Sequence, residues 1–304
     1  MEKREFTLEE KKEYAEKKKA ELNELYKLID VTAEKLFTMS DSPKELMRFL
    51  SIYSQFSYLG INNALLIYAQ YPTAKEIHPI NYWNENNFRA KRGQKSFSII
   101  EKGSEYTKKD GSKAYNRNAV KYFDVSQTTA PYRIPEPTHY YSHTLIKALL
   151  SICPVKYENY NSETSSEVWG DLQIAKYYPK ERKILVRKGL EADVFFRHFS
   201  SALAMAMMDR GEDFSENQHL YHFDACCISY LLCKRYNIDF SINDFDYIPD
   251  DYMNYDTERI KSKLYEINDI NKVINEKMYR EIQKIVASYK RPENIKAGDV
   301  RNDR

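Results

Sequence analysis

The stretch Ala130-Pro-Tyr-Arg-Ile-Pro-Glu-Pro137 constrains this chain more than any other part of it. Three prolines in seven residues remove backbone donors, clash with a continuing helix and exclude a central strand. A stiff extended linker is therefore predicted over 131–138. It divides the 304 residues into a charged helical arm over 1–40, a small domain over 41–130, a second domain over 139–290 and a flexible tail over 291–304. A chain of this length can bury a core without metal or disulfide.

Hydrophobic spacing fills in both sides of the break. Thr7-Leu-Glu-Glu10 is a capping-box signature and opens a predicted helix over 7–38, with Leu22, Leu25, Tyr26, Ile29 and Leu36 on a packing face. Asp41-Ser42-Pro43 starts a new helix that Gly60 ends, and a short apolar helix follows from Asn63 to Gln70. Strands are predicted over Phe97–Glu101 and Val120–Val125, joined through an Asp110-Gly111 turn. Beyond the prolines the pattern predicts a helix over Ser142–Cys153, strands over Asp171–Tyr178 and Lys183–Arg187, and helices over Ala192–Met208 and His219–Tyr236. A last helix is expected from Asp256 to Ala287, with an interruption at Asn268–Asp269.

Charge is unevenly spread although the net charge is only +2. Residues 86–121 carry ten Lys and Arg against three acids, whereas residues 209–258 carry twelve acids against three bases. A basic first half and an acidic second half point to different partners for each. Tyrosine is abundant (26 residues), which suits base-stacking surfaces but also follows from a codon bias toward Tyr, Asn, Ile and Lys. No apolar run approaches a membrane span, the N-terminus carries no apolar leader core, and none of the four cysteines forms a CxxC pair. A reducing, cytoplasmic setting without membrane contact is expected.

Four blocks stand out in the first half. They are Phe56-Ser-Tyr-Leu-Gly-Ile-Asn-Asn-Ala-Leu-Leu-Ile-Tyr-Ala-Gln-Tyr-Pro-Thr-Ala74, Trp83, Arg89-Ala-Lys-Arg-Gly-Gln-Lys95 and Tyr122-Phe-Asp-Val-Ser-Gln-Thr128. Together they resemble the N-terminal single-stranded-DNA-binding domain of the ArdC/LtrC-type antirestriction proteins of plasmids and conjugative elements. Cys153-Pro-Val, Ala175-Lys-Tyr-Tyr-Pro-Lys-Glu-Arg-Lys-Ile184 and Ser229-Tyr-Leu-Leu-Cys-Lys-Arg-Tyr-Asn-Ile-Asp239 resemble that family's zincin-like metallopeptidase domain. The resemblance implies an α+β fold: a small DNA-binding α+β domain followed by a zincin-like domain, here lacking its metal centre.

Zincins need two histidines four apart on one helix, with a glutamate after the first as general base, and a further ligand on a neighbouring helix. The aligned segment reads His198-Phe-Ser-Ser-Ala202. Phe199 cannot take a proton and Ala202 cannot bind metal, while the resemblance places the remaining ligand at Asp224. His198, Phe199, Ala202 and Asp224 thus mark a vestigial motif. No cofactor and no peptidase activity are expected, although His198, His222 and Cys226 leave a non-standard metal site open as an alternative to core packing.

In the first half Arg89, Lys91, Arg92 and Lys95 supply cations for phosphates, and Tyr82 and Trp83 supply aromatic faces, within fourteen residues. Asn63 is a further candidate contact; Trp83 fits a core role as well as a stacking one. The expected function is sequence-tolerant binding of single-stranded DNA in a mobile element, for antirestriction or transfer. The alternative is a pseudo-peptidase module whose acidic half docks a protein partner, a host nuclease or a transfer component.

Overall fold

A computed structural model describes residues 7–38, 42–133, 140–163, 165, 167–211, 214, 217–240 and 248–290. Most of the expected linker and the whole tail over 291–304 lie outside the described residues. The chain opens with α1 (Leu8–Thr38), started by the reciprocal cap that its sequence announces. Glu10 N–H donates to Thr7 Oγ1 at 3.2 Å, and Thr7 N–H donates to Glu10 Oε2 at 2.8 Å. From Leu25 onward this helix is not an arm. Leu25, Ile29, Ala33, Leu36 and Phe37 are buried, forming one wall of the main core.

Helices α2 (Ser42–Phe56) and α3 (Ile61–Gln70) pack on α1 and on an antiparallel sheet. That sheet has the order β1 (Ile77–Pro79), β3 (Lys113–Asp124), β2 (Phe97–Thr107), with a one-and-a-half-turn helix α4 (Ile80–Glu85) after β1. The two long strands run well past the predicted limits and form a ribbon closed at Asp110-Gly111, where Ser112 N–H donates to Asp110 Oδ1 at 2.9 Å. Register shifts between Lys102 and Glu105, next to Gly103. A Cβ at Gly103 would sit 2.5 Å from Asn118 Nδ2 and 3.2 Å from Asn116 O, so a larger residue there has to push the Asn118 side chain aside and crowd the neighbouring strand.

Strand β2 is an edge strand, and α3 covers its open backbone. Asn63 Nδ2 donates to Ile100 O at 2.8 Å while Ile100 N–H donates to Asn63 Oδ1 at 2.9 Å. Gln70 repeats the clasp two residues away, donating to Ser98 O at 2.8 Å and accepting from Ser98 N–H at 3.0 Å. Two carboxamides seven apart, on one helix face, thus supply what a neighbouring strand would have supplied.

The second half comprises α5 (Ser142–Ser151), a sheet with β4 (Lys156–Asn159), β5 (Ala175–Tyr178) and β6 (Lys183–Val186), then α6 (Ala192–Met208), α7 (Gln218–Tyr236) and α8 (Thr257–Lys290). Its strand order is β4-β6-β5, with β4 parallel and β5 antiparallel to β6. Helix α8 runs unbroken through Asn268–Asp269, where an interruption was expected, and Asn268 Oδ1 accepts the Tyr53 hydroxyl from α2.

One apolar cluster continues from α1, α2 and α3 through α5, α6, α7 and α8; a smaller one lies beneath the first sheet. The halves expected on either side of the prolines therefore share a core. Among the described residues no helix is long and apolar enough to cross a membrane.

Candidate functional site

The basic loop from Arg89 to Lys95 leaves α4 and returns to β2, and its backbone is held along the segment 125–129. Lys91 N–H donates to Gln127 O at 2.8 Å, Thr129 N–H donates to Arg89 O at 2.9 Å, and Gln127 Nε2 donates to Lys95 O at 2.8 Å. Gly93 turns the loop at φ +84°. Segment 125–129 is itself anchored on Asp124. That fully buried carboxylate accepts from the N–H groups of Lys75 (2.6 Å), Glu76 (3.0 Å) and Ser126 (2.9 Å) and from Ser126 Oγ (2.6 Å). Gln127 Oε1 closes a capping box by accepting from Asp124 N–H at 2.9 Å. A loop clamped this way presents Arg89, Lys91, Arg92 and Lys95, all exposed, from a rigid frame.

Two expected contact residues turn inward. Trp83 is 2% exposed, and its Nε1–H donates to the carbonyls of His78 and Phe123 at 3.1 and 3.2 Å. It fastens α4 beneath β1 and β3, so its ring faces are not open to a base. Asn63, 9% exposed, is used up in the clasp on Ile100. The reason is common to both: a short strand and an open sheet edge left backbone groups that a buried indole or carboxamide satisfies.

Other aromatics stand where Trp83 was expected. Tyr82 is exposed, with its ring stacked on His78 at 3.7 Å between centroids. Tyr132 is exposed and carries Lys75 Nζ 5.0 Å from its ring centre. Tyr71 OH and Ser126 Oγ are 2.9 Å apart, and Lys91 Nζ donates to Ser126 O at 2.9 Å, so Tyr71 and Lys91 meet over one residue. Tyr71 lies inside a quoted block, but neither Lys75 nor Tyr132 carried any local signal; only folding brings them to the loop. The ribbon adds Lys102 over the Tyr115 ring at 3.3 Å. Glu105 on the same ribbon is held below the usual carboxylate range by its bonds to Lys113 and Tyr115.

The second place of interest is a 570 Å³ cleft lined by Arg197, His198 and Ser201 of α6 and His222, Cys226 and Ser229 of α7, and closed by the 171–175 segment. Of the four vestigial positions only His198 lines it. Phe199 is fully buried, stacked on Phe195 at 5.1 Å, and Ala202 is buried among core residues. The cleft-facing pair four apart that brackets His198 is Arg197 and Ser201. A guanidinium has no lone pair to give a metal. Among the described residues no three His, Cys, Asp or Glu side chains converge to hold one.

Asp224 lies elsewhere. It is 1% exposed and forms an ion pair with buried Lys263 at 3.2 Å, while Tyr252 OH donates to its other oxygen. Burial pushes the Asp224 carboxyl up to about 6, against the pull of Lys263 and Tyr252. Burial would lower the Lys263 ammonium, but Asp224 and Glu266 outweigh it and hold it above its ordinary value.

The molecule is thus an α+β chain in which a clamped basic loop sits on one sheet and a cleft lined by His198, His222 and Cys226 opens between two central helices. Its fold is similar to that of the antirestriction protein ArdC from plasmid R388. The Mn(II)-bound ArdC structure matches with a TM-score of 0.50 at 12% identity, over 71% of this chain and 84% of that one. The metal-free ArdC structure gives 0.49 at 12% identity, over 72% and 85%. No family model and no curated protein sequence matches the chain.

Proposed function

We propose that this chain is a sequence-tolerant single-stranded-DNA-binding protein with an antirestriction or transfer role in a mobile element, and that its second half is a peptidase-like body without peptidase activity. The observation that carries the reading is the clamped loop: four exposed cations on a backbone tied at Arg89, Lys91 and Lys95 to the Asp124-anchored segment. Exposed Tyr82 and Tyr132 beside it supply sequence-blind stacking faces. The fold it shares with a protein named for antirestriction agrees with this use. The reading of an inactive second half is supported by Phe199 and Ala202 at the resembling base and ligand positions, both buried, and by Arg197 on the cleft wall.

Fluorescence anisotropy with a labelled oligothymidine across a salt series tests the reading. Affinity should fall with a log–log slope of about −0.7 per phosphate contact, and Lys91→Ala with Arg92→Ala should flatten the slope by about 1.4. Equal affinity and equal slope for parent and double variant would remove DNA from the loop. A second reading rests on the exposed acids Asp250, Asp251, Asp256 and Glu258 around exposed Met253, a surface of the chemistry that docks a basic protein. Loss of DNA binding on mutation of the loop, with these acids intact, separates the two.

A further inference from the structure

Two of the four cysteines are closed to solvent. Cys227 and Cys233 are fully buried, and burial pushes the Cys227 thiol well up. Cys153 is half-buried; its thiol donates to Val155 O at 3.3 Å, and burial raises it as well. Cys226 differs in two respects. It is only 7% exposed, but that exposure opens into the 570 Å³ cleft, and an imidazole lies beside it. His222, one turn earlier on α7, places Nε2 3.8 Å from the Cys226 sulfur, and Ser201 Oγ on α6 lies 3.9 Å from the same atom. The two helices are pinned together just below by the Ser200–Ser229 hydroxyl pair at 2.8 Å and by Ser229 Oγ donating to Arg197 O at 2.8 Å. The sulfur and the imidazole are therefore held in place rather than sampled.

A thiol becomes a nucleophile as its thiolate, and an imidazole at hydrogen-bond range is the side chain suited to take the proton near neutral pH. Arg197 and His198 extend the same wall of the cleft. A thiolate is a soft nucleophile, and a disulfide sulfur is the soft, uncharged centre it attacks most readily.

We propose that Cys226 and His222 form a nucleophilic thiol–imidazole pair that takes up a small thiol from a low-molecular-weight disulfide and holds it in the cleft as a mixed disulfide. The thiol proton passes to His222 Nε2 and the Cys226 sulfur attacks one sulfur of the disulfide. One S–S bond forms as another breaks, and the departing thiolate leaves with the proton from His222. The incoming disulfide is the oxidant, and a free thiol reverses the step. This site is independent of the DNA reading.

The native chain is incubated with 2-hydroxyethyl disulfide, digested without reductant and analysed by mass spectrometry. One mercaptoethanol adduct per chain is expected, on Cys226, released by dithiothreitol and lost in Cys226→Ser. His222→Gln should form it about tenfold more slowly at neutral pH with an unchanged melting temperature. An adduct that forms first on Cys153, or an undiminished rate in His222→Gln, would overturn the proposal. Should a variant fail to fold, the parent decides alone: iodoacetamide in native buffer must modify Cys226 about tenfold faster than Cys153, and equal rates would sink the idea.

Discussion

Two buried carboxylates hold this molecule together in different ways. Asp124 is met by N–H and O–H donors from Lys75, Glu76 and Ser126, all close to the loop it supports. Asp224 is met by a lysine 39 residues away and a tyrosine 28 residues away, at the junction of α7, α8 and the 250–254 turn. The first network surrounds its carboxylate with oriented N–H and O–H dipoles; the second sets a full countercharge against its carboxylate in a dry place. An oriented-dipole network degrades bond by bond, whereas a buried ion pair fails at once when either partner goes.

That contrast can be broken by mutation. The largest effect is expected for Lys263→Met, which strands Asp224: a loss of about 3–5 kcal/mol by urea denaturation, much of it recovered when Asp224→Asn is added. Recovery of nothing would mean that Lys263 matters through packing alone. Next comes pH. The folded pKa of Asp224 is raised from 3.8 to about 6. The folded state therefore binds the proton more tightly than the unfolded one, so this group's contribution is full below about pH 4 and is lost as pH rises through 6. Relative to Asp224→Asn, the parent should lose stability between pH 4 and pH 6.5, by about 3 kcal/mol at most. A flat difference curve would show that Lys263 fully compensates the buried charge.

Smaller effects belong to the other network. Asp124→Ala should cost about 1.5–3 kcal/mol and also weaken DNA binding, because the loop loses its footing. Unchanged affinity in a folded Asp124→Ala protein would separate the loop's shape from its function. Ser126→Ala should cost only about 0.5–1.5 kcal/mol, one donor among several; a loss as large as that of Asp124→Ala would deny the graded behaviour.

The same contrast explains what was legible in the sequence. Helix ends, the Thr7–Glu10 box, the Asp110-Gly111 turn and the loop's charge are set by residues a few positions apart, and they stand where the spacing puts them. Trp83 and Asn63 misled because an indole and a carboxamide serve a surface or a core equally well. What decides between them is β1, three residues with no periodicity of its own, and the edge of β2. Helix α6 is apolar along most of its length, and only the fold brings its Arg197, His198 and Ser201 to the cleft together with His222 and Cys226 of α7. The resemblance put a ligand at Asp224, and its partner Lys263 sits on a distant helix with no local hint of the pairing.

The prolines marked a break in the chain, not in the packing. Tyr53 reaches Asn268 across 215 residues, and Lys261 reaches Asp30, at 2.9 Å, across 231. Contacts of that span form late and dissolve early, so folding waits on the arrival of α8. A fragment ending at residue 130 would expose the apolar faces of α1 and α3 that α8 covers, and would aggregate rather than serve as a minimal DNA-binding domain. In the intact chain, heat or denaturant should remove both halves in one cooperative transition, and a nascent polypeptide would stay unfinished until its last long helix has left the ribosome.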